Sequence, residues 1–166
     1  STDIITLVQL YRYHNVPIKA ANLLAEAIDN GKVVAQEKYL DMLAQAYIAA
    51  KDDEKSIPVL IKAAEIGETG KFDAHLAQAY LNLEKWQLAI NSADKALERG
   101  KLDSESTEGN MYLVKGMAAF NLQNFEQSLV AFNQAKKVKS SAKTAKQWFH
   151  YVEKEQGAKQ KLAMLN

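Results

Sequence analysis

A five-residue pattern, with leucine first, glutamine third and tyrosine last, occurs three times in this chain of 166 residues. The copies occupy residues 7–11, 43–47 and 76–80, so their tyrosines are 36 and then 33 residues apart. Nine and sixteen residues after each tyrosine the side chain is small: Ala20 and Ala27, Ser56 and Ala63, Ala89 and Ala96. A period in this range predicts a stack of helical hairpins. We expect the small residues to lie where the two helices of a hairpin approach closely.

A fourth and weaker copy lies further along the chain. Its matching residues are Tyr112, Gly116, Ala119, Phe125, Ser128, Phe132 and Ala135. Together the four copies resemble the tetratricopeptide repeat (TPR), whose 34-residue unit has leucine, a small residue and tyrosine on helix A and alanines on helix B. The fourth copy departs from that family at Lys115, where leucine is usual, and at Ala119, where tyrosine is usual. Three copies end at a glycine (Gly31, Gly67 and Gly100), for which we expect the left-handed conformation that stops a helix.

The resemblance implies an all-α fold, a right-handed α-solenoid of four helix-turn-helix units and a C-terminal capping helix, with about nine helices. The predicted repeats span approximately residues 2–34, 37–68, 70–100 and 109–138, followed by a capping helix over 141–165, within a single domain over residues 1–166. A composition with only two prolines and seven glycines is typical of such a helical protein. Sel1-like repeats are the alternative, but their glycine-bracketed loop between helices A and B is absent from the sequence.

The sequence begins on the first helix of a repeat, without a polar capping segment. Because the ends of a solenoid normally need such a cap, we expect the chain to be a C-terminal segment of a longer protein. It contains no cysteine, which excludes disulfides and thiolate metal sites and fits either the cytosol or the periplasm. No apolar run is long enough to span a membrane.

Between the third and fourth repeats the period lengthens by about five residues, within the polar and acidic segment 100–109. We interpret the extra residues as a longer connection or as an early start of the next helix, since several of them are good N-caps. A docking loop for a partner is the alternative.

The last predicted helix is basic. Residues 136–166 carry a net charge of +6, whereas the first 135 residues carry −5. A basic helix can bind nucleic acid, but neither aromatic residues nor arginines are interleaved with the lysines in the way such a surface usually requires. We therefore predict a solvated cap and no nucleic-acid partner, with nucleic-acid binding as the alternative.

Residues 145–155 carry a second resemblance, through a Trp-x-x-Tyr-apolar stretch at Trp148, Tyr151 and Val152. The stretch is similar to the closing segment of TPR proteins encoded beside TonB energy-transduction genes in marine gamma-proteobacteria. This resemblance implies a periplasmic protein that assists TonB-dependent transport, with the TonB complex or another envelope protein as its partner. A cytoplasmic location is the alternative.

The sequence offers no constellation of residues for catalysis or metal binding. The three histidines fall on separate predicted helices, and only His150 has a nearby candidate ligand, Glu153. The segment 67–71 has two residues between its glycines instead of the four of a phosphate-binding loop, and it follows a helix rather than a strand. We therefore expect no enzymatic activity, no cofactor and no metal.

The function class that remains is binding of a protein or an extended peptide. In TPR arrays the A helices line a concave groove, and the resemblance places the recurring glutamines in one row along it. The predicted binding residues are Gln9, Arg12, Tyr13, Lys38, Met42, Gln45, Lys71, His75, Gln78, Asn82, Phe120 and Asn121. A carboxamide can both donate to and accept from a peptide main chain, which suits an extended peptide. The alternative is that glutamine is simply a good helix former on an exposed face.

Overall fold

A computed structural model describes residues 2–165, which contain nine α-helices and no strand. The helices are α1 (Thr2–Tyr13), α2 (Pro17–Asp29), α3 (Glu37–Ala49), α4 (Asp53–Ile66), α5 (Lys71–Asn82), α6 (Trp86–Arg99), α7 (Glu105–Asn121), α8 (Phe125–Ala135) and α9 (Ala142–Met164). They form four hairpins and a final helix. The helices group into two compact units, divided between Glu68 and Thr69. Unit 1 contains α1–α4 and unit 2 contains α5–α9.

All four hairpins close with the same three-residue turn. The middle residue of each turn has a positive φ of 55–63°, and these residues are Asn15, Lys51, Glu84 and Gln123. In each turn the next residue donates its backbone N–H to the carbonyl oxygen five residues back, and in three turns that carbonyl belongs to the recurring tyrosine. This is the Schellman motif, which satisfies carbonyl groups that the end of a helix leaves without partners. The short, uniform turns contain no glycine and agree with the TPR interpretation over the Sel1-like one.

The predicted glycine stops are confirmed in part. Gly31 and Gly100 have φ values of 72° and 63°, so both occupy backbone conformations that favour glycine. The prediction is wrong for Gly67, which ends α4 in an extended conformation with φ −78° and ψ 149°. Any residue can adopt those angles. Helix α4 therefore ends with a change to extended backbone and not with a left-handed residue.

The extra residues before the fourth repeat lengthen a helix. Helix α7 begins at Glu105, ahead of the predicted repeat start at residue 109, and it has 17 residues, against 12 or 13 in α1, α3 and α5. Ser104 caps it, since its Oγ accepts a hydrogen bond of 3.2 Å from the Thr107 N–H. The early start of this helix, one of the two interpretations of segment 100–109, is therefore confirmed.

In unit 1 the apolar stripes of the four helices meet in one core. Val8, Ala20, Leu24 and Leu43 belong to it, and none of them is more than 4 % exposed. At the second hairpin the small residue on helix B is Ser56, whose hydroxyl donates to the Asp53 carbonyl at 2.8 Å. The hydroxyl therefore occupies the core without an unsatisfied donor.

In unit 2 the fourth hairpin shows how close the two helices come. A Cβ added to Gly116 on α7 would lie 2.6 Å from the ring of Phe132 on α8. The buried hydroxyl of Ser128 donates to the Gly116 carbonyl at 2.7 Å. Glycine and serine are thus required at this contact by space and by hydrogen bonding.

The two departures of the fourth repeat from the family pattern have structural explanations. The Lys115 ammonium forms an ion pair of 2.5 Å with Asp94 on the preceding helix α6. Ala119 is fully buried in the core of unit 2, where a tyrosine would need a much larger space.

The first half of α9 packs through an aromatic cluster, which we define as Phe120, Phe125, Phe132, Trp148 and Tyr151. Trp148 stacks on the fully buried ring of Phe132, with centroids 5.7 Å apart and planes 14° apart. The apolar packing of α9 does not continue to the end of the helix, because Leu162 and Leu165 are 62 % and 83 % exposed.

We expect Trp148→Ala to lower the free energy of unfolding by about 2–4 kcal/mol, somewhat less than the loss at a fully buried tryptophan. The change removes the stacked ring that covers Phe132. Denaturant titration followed by circular dichroism measures the effect. Val130→Ala, at a valine of α8 that is 57 % exposed, is the control and should change stability by less than about 0.5 kcal/mol. Equal stability of both variants would show that the aromatic cluster does not fasten α9.

Candidate functional site

In unit 1, the glutamine of the second repeat connects two A helices. Gln45 on α3 accepts a hydrogen bond of 3.0 Å from the Arg12 guanidinium on α1. Its amide nitrogen donates to Asp41, one turn earlier on α3, at 2.9 Å. Gln9, Arg12 and Gln45 line one depression of about 450 Å³. The structure therefore brings three of the predicted binding residues together in unit 1.

In unit 2, the glutamine of the third repeat makes an equivalent connection. The amide nitrogen of Gln78 on α5 donates to Asn82 at 2.9 Å, and its oxygen accepts from Asn110 on α7 at 3.4 Å. Gln78 also lines a cleft of about 370 Å³ between α5 and α7, closed at one end by the segment before α9. We call it the α5–α7 cleft, lined by Lys71, Ala74, His75, Gln78, Asp103, Ser106, Thr107, Asn110, Met111, Leu113, Ser140 and Ser141.

The two glutamines are oriented by their neighbours and keep binding capacity. A carboxamide has two N–H donors and two acceptor positions on its oxygen. The hydrogen bonds given above use one donor and one acceptor position of Gln45 and likewise of Gln78. Each side chain therefore offers a second N–H and a second acceptor position in a fixed orientation.

The start of α5, which carries Lys71 and His75 into the cleft, is held tightly against the end of α6. The Gly70 N–H donates to the Gly100 carbonyl at 3.0 Å. A Cβ at Gly70 would lie only 2.2 Å from the Ala96 carbonyl oxygen, so no other residue fits there without a backbone shift. Gly70 thus sets the position of α5.

Asp73 is the one charged residue that is buried among the residues described. Its Oδ2 lies 3.4 Å from Arg99 Nη1 on α6, although no described residue donates a hydrogen bond to that oxygen. Burial raises the pKa of Asp73 above its usual range, and the positive charges of Arg99 and Lys95 counteract only part of this effect. The carboxylate is therefore a destabilising charge in the folded protein at neutral pH.

The other predicted binding residues lie apart from these networks. Tyr13 is 86 % exposed, and the Lys38 ammonium lies 5.7 Å from the Tyr39 ring. Phe120 belongs to the aromatic cluster, and Asn121 donates to the Met117 carbonyl at 2.9 Å. Met42, which was predicted to line the groove, is only 8 % exposed and packs in the core of unit 1. An apolar side chain at that position gains more from burial than from an open surface.

One side of the α5–α7 cleft is formed by residues at the early start of α7. The sequence analysis did not predict these residues as part of a site. Ser106 and Thr107 lie in the first turn of that helix, and Asp103 and Ser140 precede helices. These residues fall outside the repeat pattern, so the period could not align them with groove positions. The sequence does signal where this helix begins, because Ser104, three positions before Thr107, is a typical N-cap residue.

Residues 2–165 contain no group of three or more His, Cys, Asp or Glu side chains arranged to hold a metal ion. His150 and Glu153 are both exposed on α9. Within the same residues, no helix combines the length and the apolar character required to cross a membrane.

Comparison with known proteins agrees with this architecture. Residues 109–141 match the family model of the tetratricopeptide repeat. A crystal structure of the MamA protein has a TM-score of 0.81 at 13 % identity, over 98 % of this chain and 86 % of that chain. A second MamA crystal structure has a TM-score of 0.78 at 14 % identity, over 90 % and 84 %. MamA MSR-1 C2 has a TM-score of 0.69 at 18 % identity, over 96 % and 86 %.

At these identities the likeness to MamA shows the fold alone. The resemblance to tetratricopeptide repeats and the predicted fold class, an all-α solenoid of helical hairpins, are confirmed. No curated protein matches the sequence.

We expect Asp73→Asn to raise the melting temperature at pH 7. Because the folded-state pKa of Asp73 lies above the unfolded value, the folded protein binds this proton more readily, and the cost of the carboxylate disappears as the pH falls through the folded pKa. The advantage of the Asn variant should therefore shrink between pH 7 and about pH 4, where the protonated acid and the amide are similar. Melting curves of both proteins across this range provide the measurement. A less stable variant at pH 7 would mean that attraction to Arg99 outweighs burial.

Proposed function

We propose that this protein is a non-catalytic interaction scaffold that binds an extended peptide segment of a partner protein on the A helices of a unit. The main support is that each unit has one carboxamide oriented by its neighbours, Gln45 in unit 1 and Gln78 in unit 2. An extended peptide presents N–H and C=O groups at regular spacing, and each glutamine offers one donor and one acceptor to such a chain. The tetratricopeptide fold supports the same class of function, since stacked hairpins of this kind present extended binding surfaces.

The α5–α7 cleft is the better defined of the two binding regions. Besides Gln78 it contains Lys71, His75 and Asn110, which offer donors, and Asp103, which offers acceptors. Its apolar lining comes from Ala74, Met111 and Leu113. A few convergent polar groups over an apolar floor are typical of a pocket that receives one side chain of a bound peptide.

The finer part of the proposal is a role in a TonB-dependent transport system in the periplasm. It rests on the resemblance of residues 145–155 alone. In the structure, Trp148 and Tyr151 of this stretch belong to the aromatic cluster and Val152 is fully buried, so packing is a sufficient reason for these residues. Fractionation of source cells, with the native protein found in the periplasm or elsewhere, tests the location.

The proposal predicts that Gln78→Ala with Asn82→Ala removes two hydrogen bonds to the peptide and weakens its binding about 5- to 150-fold. Each lost hydrogen bond is worth about 0.5–1.5 kcal/mol, and about 1.4 kcal/mol corresponds to a factor of ten. The probe is a peptide selected from a random library displayed on phage, and titration calorimetry measures its dissociation constant. Failure to select any peptide that saturates the protein would contradict the proposed function.

Unit 2 offers a matched control on another helix. Gln87 donates to Asn91 at 2.9 Å, in the same i, i+4 arrangement as Gln78 and Asn82, but on α6. Gln87→Ala with Asn91→Ala should leave peptide affinity unchanged.

The alternative of a site on the basic helix is tested by Lys143→Ala, Lys146→Ala and Lys154→Ala together. Loss of binding in this triple variant, with the Gln78 variant unaffected, would move the site to α9.

A further inference from the structure

The fourth A helix, α7, departs from the row of glutamines that the other A helices carry. Two residues before the recurring tyrosine, each of the first three repeats has a glutamine. At the matching position, two residues before Ala119, the fourth repeat has Met117. The side chain of Met117 is partly buried, as are those of Gln45 and Gln78. The position that holds an oriented carboxamide on α3 and α5 therefore holds a large apolar side chain on α7.

Met117 belongs to an apolar strip along one face of α7. Leu113 lies one turn before it and Phe120 lies one turn after it, at the i, i+4 and i, i+3 spacings that place side chains on the same face of a helix. Both of these residues are partly buried. Leu113 also lines the α5–α7 cleft, so the strip begins at the cleft that contains Gln78. We call Leu113, Met117 and Phe120 the α7 strip.

The later part of α7, residues 109–121, contains one charged residue, Lys115. Its ammonium group pairs with Asp94 on the B helix α6. Lys115 is two residues from both Leu113 and Met117, so at about 100° per residue it leaves the helix on the side away from the strip. A charged residue of a partner would lose hydration at the strip without gaining an opposite charge from α7, whereas an apolar residue would gain from burial.

The aromatic cluster holds the far end of the strip in place. The Phe120 ring lies 5.4 Å from the Tyr151 ring and 6.0 Å from the Trp148 ring, both on α9. Trp148 and Tyr151, together with Gln147, line an open depression of about 240 Å³. Because Trp148 is itself stacked on the buried Phe132 ring, its position is set before any ligand binds. Preorganised aromatic surface of this kind is typical of the residues that contribute most to binding.

We propose that the α7 strip, together with Trp148 and Tyr151, binds one large apolar side chain, such as leucine or phenylalanine, of the peptide that Gln78 holds. The peptide is that of the proposed function, on which this site depends. Gln78 is hydrogen-bonded to Asn110, seven residues before Met117, so the centre of the strip lies about 10 Å further along α7. An extended chain advances about 3.3 Å per residue, which places the apolar residue about three or four positions from the one bound by Gln78.

Met117→Gln tests this site, because it gives the fourth repeat the residue of the other three and keeps an unbranched side chain. The probe is a peptide selected on the wild-type chain from the random library, and titration calorimetry measures its dissociation constant. The variant should bind the peptide about tenfold or more weakly, since the apolar contact is lost. Leu88→Gln, at a leucine of the B helix α6 that is 45 % exposed, is the matched control and should bind as the wild type does. Circular dichroism verifies that both variants are folded.

Alanine scanning of the selected peptide gives an independent readout. Replacing its apolar residue by alanine should weaken binding to the wild-type protein about tenfold or more, but binding to the Met117→Gln variant only about threefold or less. A peptide without a sensitive apolar residue, or one whose loss costs both proteins equally, would overturn the assignment of the α7 strip.

Two outcomes separate the α7 strip from the peptide site itself. If Gln78→Ala with Asn82→Ala weakens binding and Met117→Gln does not, the peptide binds as proposed but the α7 strip does not receive its apolar residue. If no peptide that saturates the protein can be selected, the peptide site and the α7 strip are both wrong.

Discussion

The close approach of the two helices within each hairpin is the contact on which the rest of the structure depends. Eight small residues make it on the B helices: Ala20, Ala27, Ser56, Ala63, Ala89, Ala96, Ser128 and Ala135, each at most 3 % exposed. Where the backbones of two helices approach this closely, there is no room for another methyl group. The register of each hairpin is therefore fixed. The three-residue Schellman turns then fix the direction in which the second helix leaves.

Fixed hairpins place the polar residues of the A helices in reproducible positions, and the candidate site arises from this regularity. Gln45 reaches Arg12 on a neighbouring A helix, and Gln78 reaches Asn110 in the same way. Neither bond exists within a single hairpin. Because the glutamines are held from two sides, a bound peptide would find their remaining donors and acceptors already oriented, and binding would cost less conformational entropy.

Features that recur with the repeat could be predicted from the sequence, and features that depend on a single tertiary contact could not. The small residues of the B helices follow from their spacing after each tyrosine. The extended conformation of Gly67 and the burial of Met42 depend on where neighbouring chain segments run, which the period does not encode. The positive φ of Lys51 and Glu84 could not be predicted either, since neither residue favours that conformation by itself. In the site, recurrence identified Gln45 and Gln78 but could not find Ser106, which lies outside the repeat.

Ala96→Leu tests the close contact within a hairpin most directly. Ala96 is completely buried in the core of unit 2, and its carbonyl faces Gly70 at the start of α5. The added side chain should lower the free energy of unfolding by about 1–3 kcal/mol through overpacking. Ala49→Leu, at an exposed alanine of α3, should change it by less than about 0.5 kcal/mol. Denaturant titration that finds Ala96→Leu as stable as the wild-type protein would contradict the account of how these hairpins are held together.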